Sequence, residues 1–212
     1  MNNQLWFMLV VIVVSLTGCS LIKTTPGQPI DIYTLAPMAL AQSMPVEDKA
    51  DNALVLALSP LRSSRGLMSS DIIYRDSQYG FDSYAYSRWS DSPTILLALL
   101  MQDALSHNAT ISAVLPREIA NADLLLETTL LDFSHHVQND DTSFGRVAIR
   151  VHLIDVQTKA VLATKQLSAH VDAKQRNAQG AASSINQASM QVVDELDGWL
   201  THYVSNLLEN GN

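Results

Sequence analysis

A single cysteine, Cys19, stands near the start of the chain and none follows it. No disulfide can close within the chain, so stability has to come from a packed core even in an oxidising compartment. Cationic residues are few: Lys and Arg total 13 against 21 Asp and Glu, a formal charge of −8. That balance argues against nucleic acid or an anionic headgroup layer as a partner held by bulk charge. The chain has no Gly-rich phosphate loop and no Gly-x-Ser-x-Gly elbow, and it offers no cofactor motif and no catalytic constellation. Six histidines are present, but His135 and His136 are adjacent on a strand-like segment and point to opposite faces. His152 is placed to approach one of them across a hairpin, yet no Cys, Asp or Glu at ligand spacing completes a set. These histidines read as exposed sheet-face residues, with no metal site. Asp76 and Asp82 flank an aromatic loop and read as solvated turn carboxylates.

No apolar run reaches the about 20 residues that span a bilayer. The one near the start, Leu5 to Leu16 broken by Ser15, is the length of a signal-peptide core. It ends at Leu16-Thr17-Gly18-Cys19, which resembles the lipobox of bacterial lipoproteins, although no Lys or Arg precedes it. Residues 1–18 are therefore expected to be a signal peptide, and Cys19 the lipidated N-terminus of the mature protein. Residues 19–29, with Thr24, Thr25, Pro26, Gly27 and Pro29, read as a tether, and 30–210 as one periplasmic domain. Several acyl chains on one cysteine anchor stably where one would be marginal.

Pattern along the mature chain predicts an α/β fold: a mainly antiparallel sheet with two principal helices packed on one face. Asp31–Leu35 alternates as a first strand, and Ala53–Leu58 is wholly apolar, as a strand buried on both faces would be. Short strands are expected near 71–76, 82–89 and 111–115. Ser92 as N-cap and Pro93 at the first helical position open a helix to about His107 whose apolar residues nearly encircle it, so most of it should be buried. Leu124, Leu126 and Thr128 share one strand face, whereas Leu131, Phe133 and Val137 share the other parity, which places a β-bulge at Leu130–Leu131. Val147, Ile149, Val151 and Leu153 alternate, a turn follows at 156–159, and Ala160–Val171 returns, giving an antiparallel meander. A polar link ends in Gly180. A helix over about 181–209 then carries Ile185, Val192, Leu196, Leu200, Tyr203 and Leu207 on one stripe, opposite Gln187, Gln191, Asp194, Gly198, Thr201 and Ser205.

The segment from Arg62 to Ser92 differs in texture: Tyr74, Tyr79, Phe81, Tyr84, Tyr86 and Trp89 fall among Ser, Asp and Arg. Rings supply contact area at low entropic cost and hydroxyls satisfy hydrogen bonds, so the segment reads as an interaction surface. The alternative for Tyr84, Tyr86 and Trp89 is the core side of a hairpin, and both readings can hold for different rings. The candidate interface residues are Tyr74, Arg75, Asp76, Tyr84, Tyr86, Arg88 and Trp89.

The lipobox, Asp31-Ile-Tyr-Thr-Leu35, Ile73-Tyr-Arg-Asp-Ser77 with Tyr84-Ala-Tyr-Ser-Arg-Trp89, and Pro93 opening a helix occur in that order. Together they resemble the auxiliary lipoproteins of ABC-type transport systems, the group of the paraquat-inducible outer-membrane lipoprotein. The resemblance implies a non-enzymatic subunit working with an ABC ATPase and permease and with a periplasmic lipid-carrying subunit of the mammalian-cell-entry type, docking that carrier at the outer membrane. It also implies that a homo-oligomeric ring is open to the chain. Ser20, rather than Asp, after the cysteine favours the outer membrane. The alternative is a lipoprotein that itself holds a lipid or other hydrophobic ligand in a groove under the aromatic loop. Cys19→Ser is expected to abolish the acyl mass increment and release the protein from the membrane fraction; a variant that keeps both would overturn the lipobox assignment.

Overall fold

The computed structural model describes residues 28–35, 53–76, 80–108, 110–114, 122–138 and 141–210. Cys19, the signal segment and most of the tether lie outside the described residues. Nine strands join one mixed sheet: β1 (Asp31–Tyr33), β2 (Leu54–Leu58), β3 (Arg62–Ser63), β4 (Asp71–Arg75), β5 (Asp82–Trp89), β6 (Ile111–Val114), β7 (Leu124–Val137), β8 (Ser143–Asp155) and β9 (Val161–Asp172). Among the described residues two α-helices, α1 (Pro93–Ser106) and α2 (Ala178–Asn210), accompany the sheet.

β7 organises the sheet. Along one edge it pairs antiparallel with β8, which pairs antiparallel with β9, so the predicted meander is present. Along the other edge three short strands follow in chain order, all parallel to it: β2 beside Leu124–Leu126, β3 beside Thr129–Leu130 and β4 beside His135–His136. β6 extends the sheet beyond β2, and β5 then β1 extend it beyond β4. By length the pairing is mostly antiparallel. The run of parallel contacts along one β7 edge was not anticipated, because nothing local in a short apolar segment encodes its partner's direction.

The register of β7 against β8 shifts between Leu130 and Asp132, leaving Leu131 as the extra residue. Alternation explains the consequence. Leu124, Leu126, Thr128 and Leu130 are buried before the bulge, and Phe133 and His135 after it, so one face of β7 stays on the core throughout. The bulge falls where the apolar phase changes in the sequence.

α2 packs against β8 and β9, and α1 against β6 and α2. Ile185, Val192, Leu196 and Leu200 of the predicted stripe are fully buried, and Tyr203 and Leu207 partly so. The helix starts earlier than periodicity suggested. Asn177 is its cap, accepting through Oδ1 the Gly180 N–H at 2.9 Å, and Gly180 lies inside the first turn. A Cβ there would stand 1.9 Å from the Gln175 carbonyl oxygen, so glycine is needed for the chain to fold back on itself. Thr201, assigned above to the solvent face, instead accepts a hydrogen bond from Asn108 Nδ2 at 2.6 Å. Asn108 is buried between the end of α1 and β6; it also donates to Asp197 and accepts from Thr110 and Ile111, tying α2 to that corner.

α1 departs further from expectation. Ser92 occupies the N-cap position, but its hydroxyl meets Thr94 Oγ1 at 3.0 Å rather than capping a backbone N–H. Pro93, Leu96, Leu97, Leu100, Met101 and Leu105 are buried, whereas Ile95 and Leu99 are 47% and 59% exposed. The apolar ring around this helix exceeds what the core covers.

Helix and sheet approach closely at Gly145 in β8, where a Cβ would lie 2.4 Å from the Ile185 backbone nitrogen. The facing residues of α2, Ala181, Ala182, Ser184, Ala188 and Ser189, are small and buried. Gly145→Val is expected to destabilise the domain by at least the about 1–3 kcal/mol typical of overpacking. Leu196→Asp should cost several kcal/mol by burying an unpaired charge. Denaturant melts test both, and a midpoint unchanged by Leu196→Asp would remove the α2 stripe from the core.

Candidate functional site

The aromatic segment forms the β4–β5 hairpin, and the fold divides its side chains between two environments. Tyr74 and Tyr84 are partly buried with ring centroids 5.0 Å apart, and Tyr84 Oη shares a 2.7 Å hydrogen bond with His135 Nδ1. Trp89 is 1% exposed and meets the Phe133 ring edge-on at 5.3 Å. Trp89 is core and Tyr84 packs against it, so the core alternative holds for Trp89 and for most of Tyr84, while Tyr74 contacts the Tyr84 ring. His135 is fully buried, which corrects its reading as an exposed residue. The signal was present, because after the bulge His135 shares parity with Phe133. His152 pairs with Glu127 and bonds Thr164, far along the strand from His135. Among the described residues no group of three or more His, Cys, Asp or Glu is placed to hold a metal ion.

Arg88, Tyr86 and Asp76 face solvent, Tyr86 being 56% exposed. Tyr86 and Arg88 are two residues apart on β5 and share a face. The parallel register sets Ile32 of β1 beside Arg88, and Ile32 is 65% exposed. Phe81, 58% exposed, carries the Arg75 guanidinium 6.0 Å from its ring centre. The structure thus presents an Ile32–Tyr86–Arg88 surface along β1 and β5, and a Phe81–Arg75 pair on the same hairpin. Ile32 was not identified from sequence, because only strand pairing reveals its neighbour. Tyr79 lies outside the described residues.

Arg75 is less free than its composition suggested. Its Nε donates to Ser134 Oγ at 3.2 Å, and Ser134 Oγ donates in turn to Asp132. Asp132 also meets His136 Nε2 at 3.1 Å and lies 3.9 Å from Arg146 Nε. Burial raises the Asp132 carboxyl pKa, but hydrogen bonds from His136 and Ser134, with the charges of His136 and Arg75, outweigh it and hold the group below its ordinary value. Arg75 is therefore part of a structural cluster, and Arg88 is the freer anchor.

The Tyr84–His135 pair is perturbed in a consistent direction. Burial, and to a lesser extent Tyr74, push the Tyr84 phenol up to about 12, against an opposing effect of Arg176. Burial, followed by the positive influence of His136 and Arg176, lowers His135 to about 4. The imidazole is thus neutral in the fold at pH 7, and its Nε2 has no hydrogen-bond partner among the described residues.

An apolar groove lies between α1 and the Leu58–Leu61 turn, and no residue of the aromatic hairpin lines it.

The fold of this mixed sheet with its two helices recurs in solved proteins. A Xanthomonas campestris protein superposes with a TM-score of 0.73 at 16% identity, covering 84% of this chain and 98% of its own. An uncharacterized protein superposes at 0.63 and 13% identity, covering 82% and 99%. No curated protein matches the sequence. The family model of the ABC-type transport auxiliary lipoprotein component matches residues 33–197, and the chain belongs to that family.

The lowered His135 pKa gives a signed pH dependence. A histidine whose folded pKa lies below its unfolded value contributes stability that is complete above the unfolded value of 6.5 and lost as pH falls toward about 4. The melting temperature should fall through this window. His135→Gln, which keeps a hydrogen-bonding side chain without titrating, should flatten the profile there; an equally steep profile in the variant would remove His135 as the cause.

Proposed function

We propose that this protein is a non-enzymatic docking subunit of an ABC-type lipid transport system, positioned at the periplasmic side of the outer membrane by the acylated Cys19. In this reading residues 1–18 are the signal peptide, 19–29 the tether, and 30–210 the domain that engages partners. The partner is the periplasmic lipid carrier of the mammalian-cell-entry type, itself served by an ABC ATPase and permease. Ser20 directs the lipoprotein outward, and the same surface serves ring assembly if copies associate.

The observation that carries this reading is the exposed Ile32–Tyr86–Arg88 surface on a hairpin whose inner rings are locked into the core. Tyr and Arg are enriched at interface hot spots, and a rigid support lowers the entropic cost of using them. Family membership supplies the transport context.

The test is charge reversal and ring truncation at the two residues with no part in the core. Arg88→Glu combined with Tyr86→Ser should leave the melting curve unchanged. Carrier capture from solubilised envelope should fall by roughly 30-fold or more, the equivalent of losing about 2 kcal/mol at a hot spot. Oligomer mass is measured beside it. A variant that melts, assembles and captures the carrier normally overturns the proposal. Arg75→Glu is the poorer probe, because it also disturbs Ser134 and Asp132.

A further inference from the structure

α1 carries more apolar surface than the core uses. Ile95, Ala98, Leu99 and Gln102 stand at positions i, i+3, i+4 and i+7 and so occupy one helical stripe. This stripe does not face the sheet core, which takes Leu96, Leu97, Leu100 and Leu105 instead. It forms one wall of a groove of about 340 Å³ whose other wall is Leu58, Pro60 and Leu61.

None of the residues lining this groove is charged. Three of its polar side chains are already engaged or covered. Ser59 Oγ donates to the Leu126 carbonyl at 3.2 Å, Thr94 Oγ1 is paired with Ser92, and Thr128 is 2% exposed. A ligand here meets hydrocarbon and finds no ion pair. The volume is at the small end of the about 300–1,000 Å³ range of ligand pockets, enough for one chain and too small for a whole two-chain lipid. Exposed Ile95 and Leu99 leave apolar surface of the kind that marks a binding groove.

From this we infer that the groove between α1 and the Leu58–Leu61 turn binds one hydrocarbon chain of a free lipid, with the headgroup left in solvent. The site is separate from the Tyr86–Arg88 surface, and its occupancy does not depend on carrier docking. Transfer of apolar surface drives binding, so truncated chains bind progressively less well.

The experiment uses the full mature chain in detergent with a palmitic acid probe bearing a mid-chain photoactivatable diazirine. Cross-links are mapped by mass spectrometry, and octanoate is compared with palmitate as competitor. The expected result is labelling within 58–61 and 94–102, at least tenfold better competition by palmitate, and at least tenfold less labelling in Ala98→Trp, which fills the groove with an apolar ring. That variant should melt normally and capture the carrier normally, whereas Arg88→Glu with Tyr86→Ser should label normally, so failure of one proposal is distinguishable from failure of the other. Leu99→Gln, at an exposed position, checks the same wall without added bulk and should also reduce labelling. Labelling elsewhere, or labelling unaffected by both variants, overturns the inference. So does cross-linking of the groove to a second copy or to another segment of this chain in place of the probe, or labelling that appears only in Cys19→Ser, which would make the occupant the protein's own acyl chain.

Discussion

The structure depends on the double pairing of β7. Its 14 residues are hydrogen-bonded on one edge to a single long antiparallel neighbour and on the other to three short parallel segments in turn. A five-residue strand or a two-residue one has little stability alone. Laid along an edge already held straight by β8, each contributes its ladder without having to organise a sheet. β4 receives its position from His135 and His136, and the β4–β5 hairpin receives its orientation from β4. The exposed Arg88 face is therefore placed by a strand some fifty residues later in the chain.

Small residues set the second layer. Gly145 and the Ala and Ser residues of α2 let the helix lie close on β8, and Ile149 and Val151 of the strand share the core with Val192 and Leu196 of the helix. Asn108 provides the polar counterpart at the far corner, with its donors and acceptor all matched. Polar groups inside this domain thus hold elements in place at defined points, while apolar burial supplies the driving force.

Much of this was legible in the sequence where the signal was local and repeated. The alternation from Val147 to Leu153, the α2 stripe, Pro93 at a helix start and the phase change at Leu130–Leu131 each appear as expected. What escaped was non-local. The direction of β2, β3 and β4 is chosen by an edge formed 61 to 68 residues away in sequence. The burial of His135 followed from the bulge but was obscured by the polarity of the residue itself. Composition alone does not separate Trp89, packed on Phe133, from Tyr86, open to solvent; strand parity and the hairpin's irregular register do. α1 was read as buried because its apolar residues encircle it, whereas the fold covers only part of that circumference.

β1 has a mechanical consequence. It is a three-residue strand at the sheet margin, parallel to β5, and it is the first described strand after the N-terminal segment. Tension carried along that segment enters the sheet here, in line with the strands. Its few ladder bonds, and the contact from the Ser90 N–H to the Tyr33 carbonyl, bear the load together in shear. Because β1 precedes β2 in the chain, a pull along that segment loads β1 first and reaches β7 along the chain only through β2.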